Sequence, residues 1–71
     1  MSKDDIIQII ESVLRRPISE YDRFDELGAD VLDELFVKNQ IEEKFNCLLP
    51  EDNLWQKYPV VGDFAEMVLL L

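Results

Sequence analysis

Acidic side chains dominate the residues of this chain that could do chemistry. The chain has no histidine and one cysteine, Cys47, which we expect to be a small core or boundary residue rather than a reactive thiol. Catalysis needs a nucleophile or an acid–base pair oriented by neighbours, and the sequence offers no Ser/His/Asp or Cys/His arrangement and no phosphate-cradling glycine loop. The sequence therefore predicts a protein that is not an enzyme. Seven acids fall between residues 20 and 34, namely Glu20, Asp22, Asp25, Glu26, Asp30, Asp33 and Glu34.

These acids do not form a predicted metal site. Asp22, Asp25 and Glu26 could hold Ca²⁺ or Mg²⁺ weakly, but their spacing does not match a calcium loop. Zinc is not expected in a chain with no histidine and one cysteine. Taken without any family comparison, the acidic run is typical of a solvated face combined with helix-capping chemistry.

One helix start carries the densest negative charge. Residues 27–33 read Leu-Gly-Ala-Asp-Val-Leu-Asp. Gly28 permits a positive φ, and Asp30 is placed to cap the free amides of a helix that begins at Val31. Two further acids follow in the first turn, where the helix dipole favours carboxylates. The pattern predicts a helix that presents its own N-terminus.

This helix start resembles that of the acyl carrier proteins. The resemblance lies in residues 24–33 and in Ile-Glu-Glu-Lys-Phe at residues 41–45, where the family reads Leu-Gly-Ala-Asp-Ser-Leu-Asp and then a Glu-rich helix ending in Phe. The family serine that takes the phosphopantetheine arm through a phosphodiester aligns with Val31, which has no hydroxyl. The resemblance thus implies phosphopantetheine as the family cofactor, and Val31 implies that it is not attachable here.

The resemblance also implies a docking surface. Partner enzymes of acyl carrier proteins grip the acidic front of this helix with Lys and Arg, which mostly sets on-rate and orientation. Phe36 is either an exposed partner anchor beside the acids or a residue packed against the preceding loop. The stretch from Phe36 to Asn39 departs from the family pattern, which indicates partners outside the usual fatty-acid synthesis set. The predicted partner-binding residues are Asp30, Asp33, Glu34, Phe36, Glu42 and Glu43, with Glu34 added for its charge.

The first half of the chain predicts two long helices and a long loop. Ser2 and Asp5 have the form of a capping box, and apolar residues then recur at helical spacing. The first helix is predicted over residues 3–16, with Arg15 and Arg16 in its last turn and Pro17 ending it. A loop follows over residues 17–29. The second helix is predicted over residues 31–45.

The second half predicts a short helix and a final helix. Asn46 is a suitable C-cap for the second helix. Residues 49–53 resemble the family's Ile-Pro-Asp-Glu-Glu, with Pro50 at a helix-starting position and acids after it. A short helix is predicted around Leu54, Trp55 and Tyr58, ending at Pro59. The last helix begins near residues 61–64, with one apolar face formed by Phe64, Met67, Val68 and Leu71.

The predicted fold is all-α: a small antiparallel bundle of the acyl carrier protein type, with three main helices and one short helix. The whole chain, residues 1–71, is predicted to be a single domain close to the lower size limit for a self-supporting core. The predicted core consists of Ile6, Ile10, Val13, Phe24, Leu27, Leu32, Leu35, Ile41, Phe45, Leu54, Val61, Phe64 and Val68.

Composition narrows the class of partner. A formal charge of −9 argues against nucleic acid and anionic membranes and favours a basic protein surface. The lone cysteine fits a reducing cytoplasm, the N-terminus does not read as a signal peptide, and the four apolar residues at positions 68–71 are too few to span a bilayer. We expect a cytoplasmic monomer.

Three functions remain open. The favoured one is a carrier-like adaptor or regulator that docks on an acyltransferase, a synthase or another basic-surfaced protein without carrying an acyl group. The second is a variant of a working carrier in fatty-acid or polyketide-type synthesis whose serine has been replaced. The third is a small acidic inhibitor or mimic of a cationic partner site. Valine is β-branched and a mediocre helix former, which favours natural loss of the serine over an engineered block.

Overall fold

A computed structural model, which describes residues 1–50 and 53–71, contains four helices and no strand within those residues. They are α1 (Lys3–Leu14), α2 (Val31–Phe45), α3 (Leu54–Lys57) and α4 (Val61–Leu69). Helix α1 packs against both α2 and α4. The prediction of an all-α bundle with three main helices and one short helix is confirmed.

Helix α1 begins as predicted and ends earlier than predicted. The Ser2 hydroxyl accepts from Asp5 N–H (3.2 Å), and the Asp5 carboxylate accepts from Ser2 N–H (2.9 Å), which completes the capping box. At the other end Arg15 is left-handed (φ 58°) and its N–H donates to the Glu11 carbonyl at 2.7 Å. The expectation that Arg15 and Arg16 lie in the last turn is wrong. Arg15 is the left-handed C-cap, and Pro17 disfavours a helical conformation in Arg16.

Helix α2 has the predicted bounds, and local chemistry fixes both ends. Gly28 adopts φ 70°, as expected for the turn before the helix. Asp30 accepts from Asp33 N–H (2.9 Å), and Asp33 accepts from Asp30 N–H (3.1 Å), so the two carboxylates form a second capping box. Asn46 closes the helix in the left-handed conformation with φ 52°.

The buried face of α2 differs from the predicted one. Leu32 and Leu35 were expected in the core, but their side chains are 61% and 46% exposed, whereas Val37 is fully buried. Ile41 is buried as predicted and fixes the inward face. Leu32 precedes Ile41 by about two and a half turns and therefore lies on the opposite side of the helix, whereas Val37 precedes it by about one turn. The placement of Leu32 and Leu35 in the core is thus wrong.

The rest of the predicted core is close to the observed one. Val13, Leu27 and Phe45 are half-buried and pack against the core. Eight predicted residues are buried: Ile6, Ile10, Phe24, Ile41, Leu54, Val61, Phe64 and Val68. The core also contains residues that the predicted core did not include, namely Ile7, Ile9, Ile18, Val37, Leu49, Trp55 and Ala65.

The C-terminal half departs from the prediction in two places. Pro50 lies outside α3, which begins at Leu54, and the two acids expected after Pro50, Glu51 and Asp52, lie outside the described residues. Helix α4 ends at Leu69, so Leu71 lies past its end and is 58% exposed instead of sharing the apolar face.

Backbone hydrogen bonds tie the long loop to the start of α4. Phe24 N–H donates to the Pro59 carbonyl (2.9 Å), Val61 N–H donates to the Asp22 carbonyl (2.9 Å), and Gly62 N–H donates to a loop carbonyl at 2.7 Å. These bonds satisfy backbone groups that the loop would otherwise leave unpaired. They also place the Phe24 ring in the core.

Gly62 is required by this close approach. A Cβ at this position would lie 2.9 Å from the Glu20 carbonyl oxygen, which is part of the backbone and cannot swing away. We expect Gly62→Ala to lower the free energy of unfolding by about 1–3 kcal/mol, as overpacking does elsewhere. Urea denaturation measures the change. The neighbouring exposed substitution Asp63→Ala is the control, and equal midpoints for the two variants would contradict the packing argument.

In the described part of the chain, no helix is both long and apolar enough to cross a membrane.

Candidate functional site

Val31 lies at the exposed N-terminus of α2. It is the first residue of α2, directly after the Asp30 cap, and its side chain is 74% exposed. The side chain contains only carbon and hydrogen. The helix start that the sequence singled out is therefore accessible, and its exposed group is apolar.

A groove lies beside Val31. It has a volume of about 250 Å³ and runs between the start of α2 and α3. Val31 and Glu34 form its α2 side, and Asn53 and Gln56 belong to its α3 side. The remaining lining residues are Phe24, Asp25, Ala29, Asp30 and Trp55.

The predicted docking acids differ in their exposure and in the hydrogen bonds that they accept within the chain. Asp30 and Glu43 are exposed, and Asp33 is half-buried in its capping box. The half-buried Glu42 carboxylate accepts from Leu49 N–H at 2.8 Å. Glu42 therefore holds the turn after α2 in place. It does so with a carboxylate oxygen that was predicted to contact a partner.

Glu34 bridges two helices. Its Oε2 accepts from Leu54 N–H and its Oε1 accepts from Trp55 N–H, both at 3.2 Å. The sequence indicated only the charge of this residue, because its backbone partners are 20 and 21 positions away. Both carboxylate oxygens of Glu34 thus accept a backbone hydrogen bond from α3.

An apolar surface accompanies the acids on the outward side of α2. Phe36 is 54% exposed and lies outside the hydrophobic core. Three exposed apolar residues, Val31, Leu32 and Leu35, precede Phe36 on the same helix. Residues one turn apart on a helix are neighbours, so the four side chains form a continuous strip. We call the strip the apolar ridge; it consists of Val31, Leu32, Leu35 and Phe36.

An aromatic cluster of Phe24, Trp55 and Phe64 forms part of the buried core. The rings of Phe24 and Trp55 are stacked with centroids 4.1 Å apart. Phe64 meets both edge-on, with centroids at 5.6 Å and 6.2 Å. Sequence reasoning gave Trp55 no role beyond the short helix, because its partners come from the long loop and from α4.

The loop acids differ in charge environment. Arg23 donates to both carboxylate oxygens of Asp25, from Nε at 3.1 Å and from Nη2 at 3.2 Å. The guanidinium holds the pKa of Asp25 below its ordinary value of 3.8. Asp25 is therefore already paired with a base of its own loop, Arg23.

We expect Arg23→Gln to raise the pKa of Asp25 toward 3.8. A lowered folded-state pKa adds stability that is present above the unfolded value and is lost as the pH falls through the folded value, so this contribution disappears below pH 3.8. An NMR titration of the carboxyl carbons measures the change. Asp5, whose pKa is lowered by hydrogen bonds from Ser2 instead, is the internal control. Unchanged titration of Asp25 would contradict the assignment.

No cluster of three or more potential metal ligands occurs among residues 1–50 and 53–71. The loop acids Asp22, Asp25 and Glu26 thus do not form one there.

The fold defines a structural class, the small helical bundles to which a known carrier protein also belongs. A type-II acyl carrier protein from Streptomyces verticillus involved in bleomycin biosynthesis, BlmI, superposes with a TM-score of 0.84. The match covers 96% of this chain and 82% of that protein at 20% sequence identity. It shows that the two proteins share a fold. A comparison with curated protein sequences gave no match.

The sequence identifies the family. The profile of a family described as "Phosphopantetheine attachment site" matches residues 4–68. The chain belongs to this family, whose members normally carry phosphopantetheine and are carrier proteins rather than enzymes. The resemblance to acyl carrier proteins noted in the sequence is confirmed.

Proposed function

We propose that this chain is a non-carrying member of its family, acting as an adaptor or regulator that docks through α2. The observation that carries the proposal is Val31 at the capped helix start. Attachment of phosphopantetheine requires a side-chain oxygen that displaces the leaving group and forms a phosphodiester, and the valine side chain supplies none. Val31 has no hydroxyl to which phosphopantetheine could be attached, so the residue at this position does not fit the family cofactor.

The outward side of α2 supports docking on a basic surface. Asp30 and Glu43 are exposed acids, and the apolar ridge lies on the same helix. Charge at the rim of an interface steers association, whereas desolvated aromatic and aliphatic side chains supply most of the affinity. A partner with an apolar depression rimmed by Lys and Arg complements both features. Acyl-carrier-like proteins interact with synthase or transferase partners, and we propose a partner of this kind.

An intact-mass assay tests whether only the attachment atom is missing. The parent chain and Val31→Ser are each incubated with coenzyme A and a broad-specificity phosphopantetheinyl transferase. We expect the variant to gain the mass of the arm and the parent to gain nothing. Gain by the parent would contradict the non-carrying role, and gain by neither would show that the helix start is no longer a carrier site.

The same variant addresses the alternative of a working carrier whose serine has been replaced. If Val31→Ser accepts the arm and an acyltransferase then loads it, the scaffold retains everything that carrying requires. The third hypothesis, a small acidic inhibitor, predicts instead tight, salt-sensitive binding to a partner with no link to acyl chemistry.

A further inference from the structure

Helix α3 obtains its N-terminal hydrogen bonds from another helix. The first amides of a helix have no partner within it and need a cap. Asn53, at the cap position of α3, is left-handed with φ 59° and makes no side-chain capping bond. The carboxylate of Glu34, on α2, accepts from Leu54 and Trp55 instead.

This pair of bonds fixes the distance between the two walls of the groove. Glu34 belongs to the wall that carries Val31, and the amides it holds belong to the wall that carries Gln56. The buried Trp55 ring, stacked on Phe24, holds the inner side of α3. One carboxylate and one ring thus set where the exposed side of α3 lies relative to Val31.

We propose that Glu34 is a positioning residue, which holds α3 beside α2 so that α3 forms the second wall of the docking surface. The proposal rests on the function proposed above, docking through α2. Glu34 then serves docking by holding α3, because its side chain is half-buried and both of its oxygens already accept backbone hydrogen bonds from that helix. Gln56, exposed on α3 beside the groove, becomes the expected second contact with the partner.

The hold of Glu34 on α3 can be measured without any partner. Trp55 is the only tryptophan of the chain and one of the two residues whose amides Glu34 binds, so its fluorescence reports on α3. Glu34→Gln removes the charge and leaves one acceptor oxygen for two amides. We expect a red-shifted emission and at least tenfold faster hydrogen exchange at Leu54 and Trp55. Glu43→Gln, which removes the same charge from an exposed position of α2, should change neither.

The role in docking is measured on the Val31→Ser background, with the phosphopantetheinyl transferase as the probe. We expect Glu34→Gln to raise the KM of the transferase for the chain about fivefold with little change in kcat, because the surface and not the reacting hydroxyl is altered. Global destabilisation does not produce this split when the variant is fully folded at the assay temperature, which circular dichroism checks. The dependence of kcat/KM on salt should stay as steep as in the Val31→Ser chain without the Glu34 substitution, because no ion pair to the partner is lost.

A double-mutant cycle links the effect to α3. Gln56→Lys places a positive charge on the second wall and should raise KM at least threefold against a basic partner. The same substitution should have a smaller effect when Glu34→Gln has already released α3, so the two changes are not additive. Additive effects, or no effect of Gln56→Lys, would overturn the proposal.

The outcomes separate this proposal from the proposed function. If Val31→Ser gains no arm, the transferase does not dock on α2 and the role of Glu34 in docking this probe is overturned. Fluorescence and hydrogen exchange still measure whether Glu34 holds α3. If the arm is gained but Glu34→Gln flattens the salt dependence and leaves Trp55 unchanged, Glu34 contacts the partner directly. That result would overturn the positioning role and leave the proposed function standing.

Discussion

Trp55→Ala is expected to abolish the cooperative fold. The side chain is 6% exposed, stacks on Phe24 at 4.1 Å and meets Phe64 edge-on. Truncation of a buried tryptophan costs roughly 3–5 kcal/mol through lost burial and the cavity left behind. A single core in a domain of this size supplies only about 3–5 kcal/mol in total. The two quantities are comparable, so the variant should be largely unfolded at 25 °C.

Trp55→Phe is the matched control for this prediction. It keeps a ring against Phe24 and removes an indole N–H that is buried and has no hydrogen-bond partner among the described residues. The relief of an unsatisfied donor offsets part of the lost contact area, so we expect a cost below about 1.5 kcal/mol. Circular dichroism during urea denaturation compares the variants. A cooperative transition of Trp55→Ala near the parental midpoint would contradict the central role of the aromatic cluster.

Phe36→Ala is expected to impair docking more than any other substitution of a residue outside the core. Its side chain is 54% exposed on the apolar ridge, beside the acids of α2. An aromatic anchor at an interface contributes about 2 kcal/mol, which corresponds to roughly a thirtyfold change in affinity. On the Val31→Ser background, the KM of the phosphopantetheinyl transferase should therefore rise about thirtyfold, while the free energy of unfolding changes by less than about 0.5 kcal/mol.

Leu70→Ala provides the control for Phe36→Ala. Leu70 is also an exposed apolar residue, at 87%, but it follows α4 and lies outside α2. Its substitution should leave KM unchanged within twofold. Equal KM values for the Phe36 and Leu70 variants would show that the apolar ridge is not the docking surface.

Local sequence signals were sufficient to predict α2 and its ends. Gly28, the Asp30 cap and Asn46 each act within a few residues of their own position, and the structure confirms all three. The reciprocal bond to Asp33, which the sequence placed only in the first turn, was not predicted. The start of α1 was also predictable from local signals. Its end was not, because Arg15 and Arg16 suited the helix dipole, whereas Arg15 adopts the left-handed conformation and Pro17 disfavours a helical Arg16.

The direction in which α2 faces the core depended on contacts that the sequence does not display. If the apolar stripe is taken to begin at the start of the helix, Leu32 and Leu35 are predicted in the core. The burial of Val37 and Ile41 shows that a different side of α2 faces the core. Glu34 illustrates the same limit for a polar residue. Its partners belong to α3, so charge and position alone indicated a surface acid.

Competition between the parent chain and its own Val31→Ser variant tests the central claim, docking without carrying. The transferase modifies the variant while the unmodifiable parent is added at increasing concentration. Because the two chains differ at one side chain and share α2, the parent should inhibit competitively with a Ki within about threefold of the KM of the variant. Failure of the parent to inhibit, under conditions in which the variant is modified, would contradict the claim.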